Sequence, residues 1–141
     1  MATAIKLNHG QYNWTVRVYY EDTDSGGVVY HSNYLNFMER ARTEWLRQLG
    51  FEQTYLKDIL NVIFVVHSMQ IAFKKPAKFN DLLNVSSEIS KIGRGSFEFL
   101  QKISVNQQTL IEAQVKIACV DALSCKITAI PEKIRLKMEQ L

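Results

Sequence analysis

Between Asp22 and His31 the chain gathers two carboxylates, two adjacent glycines and an imidazole, and an amphipathic helix pattern opens just beyond. A carboxylate in a loop of this kind can attack an acyl carbon as a nucleophile or take a proton from water as a general base. Gly26 and Gly27 permit turns closed to other residues and let a ligand approach the main chain closely. The start of a helix presents unpaired N–H groups and a partial positive charge, suited to an oxyanion or a polarised carbonyl.

Other chemistries find no support in the residues. There is no Gly-x-Ser-x-Gly elbow: Ser25 precedes two glycines, and Ser96 has a glycine on one side only. His9, His31 and His67 have no partners at zinc spacing, and Cys119 and Cys125 do not form a Cys-x-x-Cys pair. Asp22-x-Asp24 imitates the start of a calcium loop, with Gly27 in place. The closing position would then fall on Asn33, where a bidentate Glu is needed. The expectation is therefore no metal and no cofactor. A carboxylate, a His, a Tyr and a helix start suit an easy substrate, and a thioester qualifies. Its thiol leaving group, with a pKa of roughly 8.5, departs near neutral pH with little acid assistance.

The elements that must hold this loop follow from periodicity. Trp14, Val16, Val18 and Tyr20 alternate with Thr15, Arg17 and Tyr19, which predicts a strand with one buried face ending at Glu21-Asp22. A helix is predicted from about Asn33 to Leu49, capped by Ser32 or Asn33 and closed by Gly50. Its apolar stripe is Tyr34, Phe37 or Met38, Ala41, Trp45 and Leu49. A short helix fits Glu52 to Leu60. Four strands follow, marked by Val62 to Lys74, by Leu83, Val85 and Ile89, by Phe97, Phe99 and Ile103, and by Ile111 to Cys119. Asn106-Gln107-Gln108 makes a polar hairpin without glycine, and Pro131 precedes a charged helical tail. Short connections favour an antiparallel sheet curved around the long helix, an α+β class. The opposite sheet face, with Gln70, Lys74, Ser86, Glu88, Glu98, Lys102, Glu112 and Lys116, is expected to be solvated or in polar contact.

The totals agree with one domain over 1–141. The chain has 141 residues, 47% hydrophobic and 22% charged, enough for a real core. A net charge of +3 with no long basic run points away from nucleic acid and is compatible with a ligand bearing several phosphates. No apolar stretch has signal-peptide or membrane-span length, and two cysteines do not make a disulfide framework, so a cytoplasmic protein without a transmembrane segment is expected.

Arg17 to Asp24, Gly26 to His31, Asn33-Tyr-Leu and Glu39 to Glu44 resemble the bacterial YbgC family. These are Tol-Pal-associated acyl-CoA thioesterases of the 4-hydroxybenzoyl-CoA branch of the hotdog fold. The likeness continues more loosely through Phe64-Val-Val, Lys75 to Asp81 and Val115 to Asp121. It implies a hotdog fold, a long central helix wrapped by a curved five-stranded antiparallel sheet. It also implies hydrolysis of acyl-CoA, with Asp24 as the catalytic acid, the backbone N–H at His31 polarising the carbonyl, and the His31 and Tyr20 side chains also engaged. Gly26, Gly27, Val28 and Tyr30 would border the substrate. Arg94, in Gly93-Arg94-Gly95-Ser96-Phe97, stands where the hydroxybenzoyl branch carries a basic cluster for the nucleotide; only this one charge is kept here, and Lys74, Lys75 and Lys78 are further candidates. Phe37, Met38, Trp45, Phe64 and Met69 would wall the acyl chain. Family members form homo-oligomers, dimers of dimers, by pairing sheet edges.

Simpler roles stand beside these. Asp24 can cap a turn. Asp22 reads as structural, His31 as a loop residue, Tyr20 as core, His67 as core or interface, and Glu39 and Glu44 as the solvated or subunit-facing side of the helix. Gly93-Arg94-Gly95 also reads as a plain hairpin turn. Two other functions fit the same residues: a hotdog hydratase or dehydratase, and a binding module whose mildly basic surface suits an acidic acyl carrier protein.

Overall fold

The computed structural model describes residues 10–141. The lead-in before them, with His9, lies outside the described residues. Strand β1 (Tyr12–Arg17) is followed by a 3-10 turn (Tyr20–Asp22), helix α1 (His31–Leu49) and helix α2 (Gln53–Asp58). Strands β2 (Val62–Phe73), β3 (Leu82–Ile92), β4 (Ser96–Val105) and β5 (Gln108–Asp121) come next, and helix α3 (Glu132–Glu139) closes the chain. The five strands form one antiparallel sheet in the order β1-β3-β4-β5-β2. With α1 against one face, this is the hotdog fold.

Helix α1 buries Tyr34, Phe37, Met38, Ala41, Trp45, Leu46 and Leu49. They face Leu83, Val85, Phe97, Phe99, Ile103 and the alternate residues of β5 from Ile111 to Cys119. Trp45 meets Phe99 edge-on with ring centroids 4.8 Å apart, a favoured aromatic geometry. Gly50 ends the helix at φ 108°, a left-handed conformation open to glycine at no steric cost. Ile134 and Met138 of α3 extend the same core. The β4–β5 hairpin turns through Asn106 and Gln107 at φ 49° and 66°, the positive values that a tight hairpin needs even where no glycine is present. On the outer face Gln70, Lys74, Lys102 and Lys116 are exposed as expected, but Ser86 is buried, flanked in register by Asn13 and Lys102.

Two expectations are corrected. The first strand stops at Arg17, so Tyr20 is not on its apolar face and is not core. Tyr20 is 75% exposed. The chain leaves the sheet because Val18, fully buried, exchanges backbone hydrogen bonds with the β2–β3 connection instead: its N–H donates to Asp81 O, and its carbonyl accepts from Asn80 N–H, both at 2.9 Å. Helix α1 begins two residues earlier than predicted, at His31, with Tyr30 as cap and no capping side chain. Asn33 is diverted from capping, its Nδ2 donating to Asp22 O at 2.9 Å. His67 is exposed where the pairing of β2 with β5 slips, between Val66 and Ser68.

Candidate active site

The acidic loop is a small hairpin built on its own backbone. Asp24 N–H donates to Val28 O (2.9 Å) and Gly27 N–H to Asp24 O (3.0 Å), while Thr23 and Val29 bridge across. The return requires φ +83° at Gly27, a value that costs an L side chain dearly. Gly26 N–H donates to Asp24 Oδ1 at 2.8 Å, so the turn-capping role is present. A Cβ on Gly26 would stand 3.2 Å from that oxygen. The other carboxylate oxygen of Asp24 makes no hydrogen bond among the described residues. Asp22 is structural, as read: its Oδ2 accepts from Tyr19 N–H at 2.9 Å, and its carbonyl receives Tyr30 N–H and the Asn33 amide.

Two anchors hold the hairpin against the start of α1. Val29, 4% exposed, donates its N–H to Ala77 O (2.9 Å), and Val28 bridges to Lys78. Tyr34, one turn into α1, accepts the Ala77 N–H on its phenol oxygen at 2.9 Å. Burial raises the Tyr34 pKa, the Ala77 hydrogen bond opposes this, and the negative charges of Asp24 and Asp81 add to the rise. The Asp24 carboxylate therefore acts electrostatically on the side chain that begins the helix's buried stripe.

Beside this stands a cleft of about 260 Å³ whose wall includes Val29, His31, Tyr34, Phe73, Lys75 and Pro76. The first turn of α1 opens next to it. No side chain caps that turn, and Asn33 N–H donates to Tyr30 O at 2.8 Å, which leaves the N–H groups of His31 and Ser32 for a ligand. Tyr30 is half exposed, its ring tilted against His31 at 4.5 Å. Tyr20 stacks flat on Phe79, centroids 3.8 Å apart and planes 6° from parallel, on the exposed side of the loop. Of the residues expected at the site, His31 lines the cleft, while Asp24, Gly26, Gly27 and Val28 lie in the hairpin next to it and Tyr20 faces Phe79 on the exposed side.

Arg94 is not with them. Phe73 lies opposite Ile111 and Ile111 opposite Ile103, whereas Arg94 precedes Ser96 at the other end of β4. The separation along the strand is roughly 20–25 Å. Packing accounts for the glycines around it. A Cβ on Gly95 would meet Thr128 O at 2.9 Å, and Gly93 N–H donates to Ser96 O at 2.7 Å. Arg135 also donates to Gly93 O. The turn is a built hairpin with the Arg94 side chain exposed. Of the other cations, Lys74 and Lys75 border the His31 cleft, and Lys74 is paired with Glu112 at 3.1 Å. Sequence reasoning placed Tyr34 only in the helix stripe and did not single out Phe73, Pro76 or Ala77 for the site. The signal available for them was the Lys75-Pro76-Ala77 break after β2, which sets that connection beside the loop.

Of the residues expected to wall the acyl chain, Phe37 and Met38 are core, Met69 is half-buried on β2, and Trp45 and Phe64 line a separate cavity. Among the described residues no cluster of His, Cys, Asp and Glu could hold a metal ion. No described helix is long and apolar enough to cross a membrane.

Residues 18–138 match the family model of the thioesterase-like superfamily. The chain is 44% identical over 135 residues to the acyl-CoA thioesterase YbgC of Haemophilus influenzae, spanning 96% of this chain and 98% of that one. Among solved structures, a probable thioesterase from Bartonella henselae superposes with a TM-score of 0.82 at 37% identity, over 86% of this chain and 99% of that one. The 1,4-dihydroxy-2-naphthoyl-CoA thioesterase of Synechocystis gives 0.86 at 25% identity, over 94% and 98%.

Proposed function

Since the chain belongs to the thioesterase-like superfamily, and within it to the YbgC acyl-CoA thioester hydrolases, we propose that Asp24 and the open first turn of α1 carry out its hydrolysis of acyl-CoA. The observation behind this is that one Asp24 oxygen is clasped by Gly26 N–H while the other has no partner among the described residues, beside a helix start with no side-chain cap. The thioester carbonyl oxygen sits against the N–H groups near His31. A donor of this kind stabilises a developing oxyanion by about 3 kcal/mol. The free oxygen of Asp24 either attacks the carbonyl carbon, giving an acyl anhydride that water then cleaves to restore the carboxylate, or takes a proton from an attacking water; the thiolate of coenzyme A leaves in both routes. His31 and Tyr20 border the reacting group, and Gly26, Gly27, Val28 and Tyr30 form the substrate's backbone-facing wall.

The nucleotide phosphates need cations, and Arg94 cannot serve the Asp24 of its own chain. The edge of β2, unpaired among the described residues, supports a partner subunit as their source. It is twelve residues long, without charge or proline, and exposes Val65, Val66 and Phe73. Such an edge invites pairing. Antiparallel pairing of β2 with its copy about a two-fold sets the Phe73 end of one chain beside the Val62 end of the other. Val65 aligns through Ala118 with Ser96, so Arg94 of the partner subunit approaches the first chain's site.

Thiol release from a panel of acyl-CoA chain lengths tests the activity, and subunit mixing tests the shared site. Asp24→Asn and Arg94→Ala homo-oligomers should each be impaired, the second through KM. Mixed oligomers should recover turnover at low KM, because one site then holds both wild-type residues. No recovery on mixing, with mixing verified, would place Arg94 outside the site.

A further inference from the structure

The Tyr34 phenol carries a hydrogen-bonding group that the fold leaves unused. Tyr34 stands one helical turn after His31 on the same face of α1, and both line the cleft of about 260 Å³. Its side chain is 3% exposed, and the tilted ring of Phe73 packs on it at 5.9 Å. The phenol oxygen accepts the Ala77 N–H at 2.9 Å. A phenol both accepts and donates, so that bond takes one side of the oxygen and leaves the O–H on the other. Among the described residues this O–H has no acceptor. A buried donor without a partner calls for an explanation.

The acidic hairpin sets that donor near Asp24. Val29 N–H donates to Ala77 O, and Val29 bridges to Thr23, the neighbour of Asp24. One residue, Ala77, thus ties the base of the Asp24 turn to the Tyr34 oxygen. Burial raises the Tyr34 pKa, and the charges of Asp24 and Asp81 add to the rise against the Ala77 hydrogen bond. The phenol therefore keeps its proton, and with it a donor, near neutral pH. His31, Lys74 and Lys75 are the other titratable groups on the cleft, and Lys74 is paired with Glu112.

A held water needs room and at least two polar partners. We propose that the Tyr34 O–H holds the water that attacks the thioester, between the phenol and the unpaired oxygen of Asp24. This rests on the reading of Asp24 as the acid of the reaction, and it selects the general-base route. One lone pair of the water accepts the phenol O–H, and one water hydrogen is given to Asp24. The other lone pair forms the bond to the acyl carbon. The C–S bond then breaks, its electron pair leaving with sulfur as the thiolate, and the proton on Asp24 passes to solvent. Tyr34 keeps its own proton throughout.

The test compares Tyr34→Phe with Ile134→Val, a change in the fully buried core of α3 that lowers stability without touching the cleft. Tyr34→Phe should lose about tenfold to a hundredfold in kcat, with KM within about twofold of wild type and no burst of thiol release. A kcat within about threefold of the Ile134→Val protein, or a raised KM with kcat unchanged, would overturn the proposal. So would a burst of about one thiol per site, because acyl transfer to Asp24 would then precede the water. Incorporation of 3-fluorotyrosine in place of Tyr34 carries the same test should Tyr34→Phe not fold. Fluorine withdraws electrons, so this phenol keeps both hydrogen bonds but ionises at lower pH. The phenolate still accepts from Ala77 and can no longer donate. Alkaline loss of kcat should therefore set in at lower pH than in wild type, and an unchanged alkaline limb would overturn the donor role. An inactive Asp24→Asn beside a fully active Tyr34→Phe would remove this inference alone, whereas an active Asp24→Asn would remove the reading of Asp24 with it.

Discussion

Asp24→Asn separates the two roles that the structure gives this residue. Asn keeps an oxygen where Oδ1 accepts the Gly26 N–H at 2.8 Å, so the hairpin retains its clasp. What is lost is charge. A hydrogen bond to a charged acceptor exceeds a neutral one by about 1 kcal/mol, and by less at an exposed site such as this. The melting temperature should fall by no more than about 1–3 °C. Chemistry should suffer far more. Removing a general base or nucleophile costs about 10²- to 10⁴-fold in rate, equivalent to about 3–5 kcal/mol of activation free energy. The assay is continuous thiol release from an acyl-CoA at saturating concentration, with thermal melts of the same samples. Asp24→Ala is less informative, since it removes the clasp and the charge together. An Asn variant within tenfold of wild type, folded and melting normally, would refute the argument and leave Asp24 as a turn cap.

Other consequences concern the supports around the site. Tyr34→Phe strands the Ala77 N–H, in a residue that is fully buried, and should lower stability by about 1–3 kcal/mol in denaturant titration. The Tyr34 pKa is raised in the folded state, so its contribution is fully present below pH of about 10 and is lost as pH rises through the folded value. Tyr34→Phe should flatten that alkaline limb of a stability–pH profile. Gly95→Ala drives a Cβ to 2.9 Å from Thr128 O and should destabilise by about 1–3 kcal/mol without altering the Asp24 loop, read as a shifted denaturation midpoint with near-normal kcat. Cys125 is exposed, while burial pushes the Cys119 thiol up to about 11. Iodoacetamide at pH 8 should label one cysteine per native chain and two after denaturation.

The chain's local patterns determined a good deal about this protein. The alternating apolar residues of the last three strands, the stripe from Tyr34 to Leu49 and the Gly50 stop correspond closely to the observed elements, because burial on one face imposes period two or 3.6 on any stable strand or helix. The acidic hairpin was legible for the same reason: Asp24, Gly26 and Gly27 act on one another within a few residues. Tertiary structure decided what depends on distant partners. Tyr20 continues the β1 alternation, yet the chain leaves the sheet after Arg17 because Asn80 and Asp81 take the backbone bonds of Val18. The helix starts at His31 uncapped because Asn33 is drawn to Asp22. How far Arg94 stands from the Asp24 of its own chain was likewise not legible, since pairing of β4 with β5 puts it at the far end of the sheet. The Arg42–Gln101–Ser87 network joins residues far apart in sequence and meets only where α1 crosses the sheet. No periodicity records such a meeting, since it is a product of how two surfaces pack.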